Sequence, residues 1–201
     1  MRPGLFIAGI LFTLHTMSLG QPYLGLSGGG DISTGLLFRA GMPCELMVSD
    51  YFSIQTEIAY VQRENNRILL NLSGERDYRH ASVSYMEMPI LVKFNLPLQA
   101  LSLYGLAGPG LSYGLQLSAD YSTGNHILRE RLSFEREEIA RRDWGFHLGA
   151  GFEKEIINGR RIFLDFRYYF GLTNLDLTGR HDLYYQSRGL NLGFKIPLQN
   201  L

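Results

Sequence analysis

The sequence predicts an all-β fold: an eight-stranded, closed, antiparallel, up-and-down barrel that crosses a membrane and follows a cleaved leader. Three observations carry this. Apolar residues recur at every second position in segment after segment of the 201-residue chain, the period of a strand. The chain holds 23 Gly, 12 Tyr and 12 Phe, a composition that suits many strands and tight turns better than a helical bundle. Short connections at one end and mostly long ones at the other describe a transmembrane barrel with both termini on the short-turn side.

The first twenty residues read as a signal peptide. Arg2 forms a short positive region, Leu5–Leu14 (LFIAGILFTL) an apolar one, and Ser18-Leu19-Gly20 supplies small residues for cleavage before Gln21. The apolar run is too short to span a bilayer as an anchor helix. Residues 21–201 then form one barrel domain. Cys44 is the single cysteine, so an exported chain must hold its fold without an internal disulfide. Cys44 lies on an apolar strand face, where it reads as a small hydrophobe rather than a nucleophile. The 19 basic and 19 acidic residues balance, which gives no reason to expect a nucleic-acid partner.

Eight strands are expected, at roughly 22–30, 35–48, 52–64, 81–96, 101–118, 143–156, 161–174 and 186–198. In the second, Leu36, Phe38, Ala40, Met42, Cys44, Leu46 and Val48 oppose Arg39, Gly41, Pro43 and Glu45. The third sets Phe52, Ile54, Ile58 and Tyr60 against Ser53, Gln55, Glu57 and Arg63. The fourth sets Met86, Met88, Ile90, Val92 and Phe94 against Tyr85, Glu87, Pro89, Lys93 and Asn95. The fifth lies in the uncharged stretch Phe94–Ala119, but Pro97, Pro109 and several glycines exclude a transmembrane helix. A register shift is expected there at Gly108-Pro109-Gly110. The sixth sets Trp144, Phe146, Leu148, Ala150 and Phe152 against Gly145, His147, Gly149, Gly151 and Glu153. The seventh, RIFLDFRYYFGL, places Ile162, Leu164, Phe166, Tyr168 and Phe170 opposite Phe163, Asp165, Arg167 and Tyr169. The eighth sets Leu190, Leu192, Phe194 and Ile196 against Gly189, Asn191, Gly193 and Lys195. Short links fall at Ser49–Tyr51, Pro97–Ala100 and Ile157–Arg160, the last with the hairpin signal Asn158-Gly159. Asn65–His80 and Ala119–Arg142 are long loops, Leu175–Tyr185 is intermediate and Asp31–Thr34 is short.

Alternation alone does not say which face is wet. A soluble lipocalin-like barrel is apolar inside, a membrane barrel apolar outside. Here the polar face carries Gly25, Gly41, Gly145, Gly149, Gly151, Gly171, Gly189 and Gly193, small residues that a crowded narrow lumen needs and a solvated face does not. Aromatics gather at strand ends on the apolar face, as in two interfacial girdles. Strands of about ten residues also fit a tilted crossing of the hydrocarbon layer. Lipid is therefore expected outside. The inward positions then hold Arg39, Glu45, Glu57, Arg63, Glu87, Lys93, Glu153, Asp165, Arg167 and Lys195. Isolated charges there are costly, so a paired ionic network is expected rather than a catalytic carboxylate pair.

YMEMPILVKFNL (Tyr85–Leu96), LYGLAGPGLSYGL (Leu103–Leu115), DWGFHLGAGFEKEI (Asp143–Ile156) and RIFLDFRYYFGLTNL (Arg161–Leu175) resemble the outer-membrane β-barrel domain family. That family includes the small PorT-like and OmpX-like barrels of Bacteroidetes type. The resemblance covers essentially all of the chain after the leader and implies a barrel in the cell outer membrane. Its PorT branch implies an accessory role in protein secretion. Gly189, Leu192 and Phe194 resemble the family's C-terminal assembly signal, which implies the barrel-insertion machinery as a partner. The chain departs from it by ending in Pro197-Leu198-Gln199-Asn200-Leu201 rather than in an aromatic.

A barrel hydrolase acting on lipid needs a nucleophile and a base at the membrane edge. His126 and His181 fall in long loops and His147 points inward. Ser82, Ser84 and Ser122 are the serines nearby in sequence. No His, Ser and acid set is expected on one outward edge, so no enzyme activity is expected. The five histidines show no paired spacing for a metal, and no cofactor is expected. RERLSFEREEIARR, within the long loop, is dense in both charges. Arg129, Arg131, Arg136, Arg141 and Arg142 there suit either a solvated loop or a surface for protein partners or lipopolysaccharide phosphates. The expected role is structural or interactive, with a secretion accessory or a narrow pore as alternatives.

Overall fold

The computed structural model describes residues 20–31, 37–64, 78–99, 101–123 and 126–198. The expected leader, apart from Gly20, lies outside the described residues, as do Leu36, residues 65–77 of the first long loop and the extreme C-terminus. Nine strands are described: β1 (Pro22–Asp31), β2 (Leu37–Met47), β3 (Phe52–Glu64), β4 (Tyr78–Pro97), β5 (Ser102–Thr123), β6 (His126–Leu132), β7 (Arg142–Glu155), β8 (Arg161–Gly171) and β9 (Gln186–Pro197). Eight of them close a ring in the order β1-β2-β3-β4-β5-β7-β8-β9, with β9 returning to β1 and every pairing antiparallel.

Closure pairs each of the eight ring strands on both sides, the condition for crossing lipid with strands. Burial follows the sequence alternation with the apolar face outside. Phe38, Met42, Ile54, Ile58, Met88, Ile90, Leu148 and Leu192 are all exposed, whereas Glu45, Glu87 and Lys93 are 0% exposed. Cys44, a half-buried free thiol, is on the outward face. Aromatic pairs such as Phe52–Phe94 (5.2 Å between ring centres) at the turn end and Phe146–Phe170 (5.6 Å) at the loop end mark the two girdles.

The turn at Ile156–Arg160 forms as its sequence requires. Asn158 and Gly159 have φ of 54° and 74°, the left-handed pair of a tight hairpin, and Ile156 N–H donates to Arg160 O at 2.8 Å. Narrowness explains the lumenal glycines. A Cβ on Gly145 would lie 2.3 Å from the Tyr169 ring, and one on Gly193 would lie 2.3 Å from the Phe163 ring.

Two expectations are corrected. First, β5 keeps one register with β7 from Ser102 to Tyr113, straight through Gly108-Pro109-Gly110. Against β4 the register shifts between Tyr78/Tyr121 and His80/Asp120 and again, as a bulge in β5, between Ser84/Gln116 and Tyr85/Gly114. Leu115 is the extra residue, and the inward parity moves from Ser112 and Gly114 to Leu117 and Ala119. Second, the long link after residue 118 is not all loop. β5 runs on to Thr123 and β6 pairs back along it from His126 to Leu132. The upper parts of β4, β5 and β6 thus form a sheet extension beyond the ring.

Segments 133–141 and 172–185 fold over the loop-side mouth as a cap. Ile139 bridges to Asp176, Ala140 N–H donates to Leu175 O at 2.8 Å, and Leu175 N–H donates to Leu183 O at 2.8 Å. Phe134, Ile139, Leu175, Leu183 and Tyr185 pack on Ala81, Val83, Tyr85, Leu117 and Ala119 of the extension. The barrel therefore has an ionic interior and an apolar stopper.

Candidate functional site

The site comprises the lumen and the loop-side surface above it. Period-two strands aim alternate side chains inward, and the ring brings charges from distant parts of the sequence together. All ten charged residues expected inside are buried. They fall into two groups.

Near the turn side, Lys93 Nζ donates to Glu45 at 3.0 Å and to Glu153 at 2.5 Å. Lys195 donates to the same two carboxylates, at 2.8 Å to Glu153. Two ammoniums and two carboxylates alternate in a closed cluster, with the Ser53 hydroxyl also donating to Glu45. In mid-barrel a chain of pairs crosses the lumen. Arg167 grips Asp165 through Nε and Nη2 at 2.9 and 3.0 Å and reaches Glu57 at 2.6 Å. Arg39 links Glu57 to Glu87 at 3.2 and 2.7 Å. Arg63 continues from Glu87 towards Asp143, 3.9 Å away. Ser27 donates to the Glu57 oxygen that the arginines leave free, and Tyr104 and Asn191 donate to the two Asp165 oxygens alongside Arg167.

Two charged members of this network were not among the residues expected there. Asp143 is 0% exposed and accepts from Tyr169 Oη at 2.8 Å. Arg161 reaches Glu153 at 2.9 Å. Both share the parity of recognised inward residues but stand at strand starts, where alternation has least support. The mid-lumen cavity among Arg39, Arg63, His147, Arg167 and Asn191 has a volume of about 20 Å³, room for one water rather than a column of them. The arrangement braces strands against one another across the lumen.

At the surface, the five arginines of the long loop do not form one patch. Arg129 pairs with Asp120 on the outer face of the β5–β6 hairpin, at 2.8 Å from Nε, and Arg131 is exposed on the same face. Arg136 is exposed on the cap, Arg141 Nη2 lies 2.9 Å from Glu135, and Arg142 opens β7. The Glu135 carboxyl is held down at about 2 by its own backbone N–H, the Ser133 hydroxyl and Arg141. Asp176 organises the other cap segment. The Thr178 hydroxyl and the N–H groups of His181 and Thr178 hold its carboxyl at about 2, with Thr178 Oγ1 2.6 Å and His181 N 2.7 Å away.

The expectation that no histidine, serine and acid share an outward edge is also corrected. β4 begins at Tyr78, not near residue 81, so His80 belongs to the strand. Glu64, Ser82 and Ser84 stand on the same outward face, and His80 Nδ1 lies 2.8 Å from Glu64 Oε1. Among the described residues no group of histidine, cysteine and acids is arranged to hold a metal.

Residues 22–177 match the family model for the outer membrane protein β-barrel domain. The chain belongs to that family. It is a protein of the outer membrane, with short turns towards the periplasm and the cap outside the cell. Solved structures show similar folds at low identity. The N-terminal β-barrel domain of Pseudomonas aeruginosa OprF is 10% identical with a TM-score of 0.47, covering 89% of this chain and 100% of that one. Neisserial surface protein A is 12% identical at 0.49, over 90% and 100%. The outer membrane enzyme PagL is 13% identical at 0.46, over 88% and 99%. No curated protein matches the chain.

Proposed function

We propose that the chain is a sealed outer-membrane barrel whose role is structural and interactive, carried by the cap and the β4–β6 extension rather than by transport or by chemistry in the lumen. One observation carries this reading: the apolar stopper of Phe134, Ile139, Leu175, Leu183 and Tyr185 closes the outer mouth above an already filled bore. The exposed surface of that stopper carries Arg136, with Arg129 and Arg131 on the adjoining hairpin. Their guanidinium groups suit carboxylates or phosphates on a partner. An accessory position beside a protein-secretion machine is one form of this role. After a leader like residues 1–20 is removed, assembly by the barrel-insertion machinery precedes it.

The test is capture from detergent-solubilised outer membrane, comparing the unmodified protein with an Arg129→Gln, Arg131→Gln, Arg136→Gln variant. The expected result is a protein partner recovered with the first and lost with the second, while both remain folded. Equal recovery of the same proteins by both variants removes the surface from this role.

A further inference from the structure

We propose that Glu64, His80 and Ser82 form a Ser–His–carboxylate hydrolase site on the outward face of β3 and β4, acting on the acyl ester of a phosphate-bearing lipid in the outer leaflet. This goes beyond the docking role, which rests on the cap and on Arg129, Arg131 and Arg136 and is read by partner capture rather than by fatty-acid release. The two fail separately.

Position is the first argument. The β3–β4 register sets Tyr60 opposite Met86, Gln62 opposite Ser84 and Glu64 opposite Ser82. Met86, 41% exposed, is the last apolar residue on the outward side of β4; Ser84, Ser82 and His80 follow it upwards. Tyr60, whose hydroxyl donates to Ser84 at 2.8 Å, belongs to the outer girdle. A tilted strand climbs about 2.5 Å per residue. Ser82 therefore stands about 10 Å above Met86, on the headgroup side of the girdle.

Arrangement is the second. The 2.8 Å contact to Glu64 occupies His80 Nδ1. This sets the tautomer and leaves Nε2 as the base, the role of the acid in any such triad. His80 and Ser82 are two apart on one strand and project from the same face. Ser82 lies directly across from Glu64, and the His80 side chain, 58% exposed, is open to substrate. On the other flank His80 faces Asp120, whose carboxylate accepts from Arg129. Inward neighbours Ala81 and Val83 are fully buried against the cap, which anchors β4 beneath His80 and Ser82.

A cation in the same row specifies the lipid. Ser82 pairs with Ser118 of β5, and Ser118 pairs with Arg131 of β6. Glu64, Ser82, Ser118 and Arg131 thus form one row across four strands. At about 4.8 Å between strands, Arg131 is about 10 Å from Ser82, a headgroup's width from the scissile carbonyl. Its guanidinium is placed to take the phosphate while Ser82 takes the ester.

The chemistry balances with water alone. Ser82 Oγ adds to the ester carbonyl carbon as its proton passes to His80 Nε2. The ester C–O bond breaks, Nε2 returns the proton to the departing alcohol oxygen, and the acyl group stays on Ser82. Water then adds to the acyl carbon, giving its proton to Nε2. Ser82 Oγ leaves with that proton, releasing the carboxylic acid.

The test uses the full barrel refolded into vesicles, either of a diacyl phosphatidylglycerol or of neutral lipid carrying lipid A, with release of fatty acid as readout. A fluorophosphonate probe followed by mass spectrometry locates the nucleophile. The expected result is acid release from at least one vesicle type and a single label on Ser82. Which vesicle is hydrolysed identifies the source of the ester. Ser82→Ala and His80→Gln should each lose at least 10³-fold, and Ser84→Ala should stay within about two-fold. Glu64 is a positioning residue. Glu64→Gln should lower kcat by up to about 10⁴-fold and move the acid limb of the pH–rate profile, with partial rescue in Glu64→Asp. Arg131→Gln should raise KM with kcat unchanged. Each variant must show the fast gel migration of a folded barrel when unboiled. No acid release from either vesicle, release unaffected by Ser82→Ala in folded protein, or a label on another residue each overturns the assignment.

Discussion

The guanidinium carbon of Arg63 stands 3.9 Å from the ring centre of Tyr169. The Tyr85 and Tyr185 rings lie 5.3 and 5.9 Å away. Arg63 is where the ionic lumen meets the apolar cap: its nitrogens pair with Glu87 and face Asp143, while the three tyrosine rings enclose it. A planar, weakly hydrated guanidinium can serve both surroundings, whereas an ammonium cannot. Arg63→Lys should therefore cost stability although the charge is kept. We expect a clear fall in the denaturant midpoint of the folded barrel, larger than that of an Arg→Lys change at exposed Arg136.

Arg167→Ala tests the mid-lumen network. Arg167 holds Asp165 by two hydrogen bonds and Glu57 by a third, and its removal leaves Asp165 buried with only the neutral donors Tyr104 and Asn191. Breaking one side of a buried pair costs about 3–5 kcal/mol. Equilibrium unfolding in detergent micelles should show a loss of that order. A loss below about 1 kcal/mol, the value of an exposed pair, would show that water reaches the network.

Lipid exposure is tested at Leu148, 55% exposed on β7 opposite Tyr168. Leu148→Arg places a charge in the hydrocarbon layer, at about 2–4 kcal/mol near mid-bilayer. We expect little assembled protein in the membrane fraction, measured by heat-modifiable migration. Normal assembly of this variant would falsify the outward apolar face.

Much of this was legible in the sequence for one physical reason. In a narrow membrane barrel the two faces of a strand differ more than in most folds, so Phe38 to Leu46 or Ile162 to Phe170 sort into two faces by parity, and the lumenal glycines and aromatic girdles say which face meets lipid. What parity cannot show is structure without alternation. β6 reads HILRERL, with Ile127 and Leu128 adjacent, and has a single pairing partner among the described residues. The cap residues Phe134, Ile139, Leu175 and Leu183 are buried by contacts between distant loops and follow no period. His80 follows the polar run GERDYR and reads as loop, although pairing with β5 makes it strand. The bulge at Leu115 was misplaced because Gly-Pro-Gly is a stronger local signal than the Tyr-Gly-Leu-Gln sequence around it.

Acid should loosen the cap at its Asp176 turn. The Thr178 and His181 contacts lower the Asp176 carboxyl from its ordinary 3.8 to about 2. A depressed folded value contributes stability that is complete above the unfolded value and is lost as pH falls through the folded one. The window is thus from about pH 4 down to about pH 2. Trp144, the only tryptophan, donates its backbone N–H to Thr173 at the base of this segment, at 2.9 Å. Its fluorescence should change across that window, and Asp176→Asn should remove this component while leaving the barrel folded.

The last expectation concerns conduction. The bore of an eight-stranded barrel is only wide enough for its own side chains. Here it is filled twice, by the Lys93–Glu45–Lys195–Glu153 cluster and by the chain from Asp165 to Arg63. The cap lies above both. We expect no steady single-channel openings from the purified protein in a planar bilayer. Opening the cap alone should change nothing: Leu175→Glu with Leu183→Glu places two unpaired acids in the stopper, but the ionic cross-braces remain beneath it. If the double variant conducts and the unmodified protein does not, the cap is a gate and the lumen network leaves a water path. Steady openings of the unmodified protein would overturn the sealed barrel altogether and turn the reading towards a narrow pore.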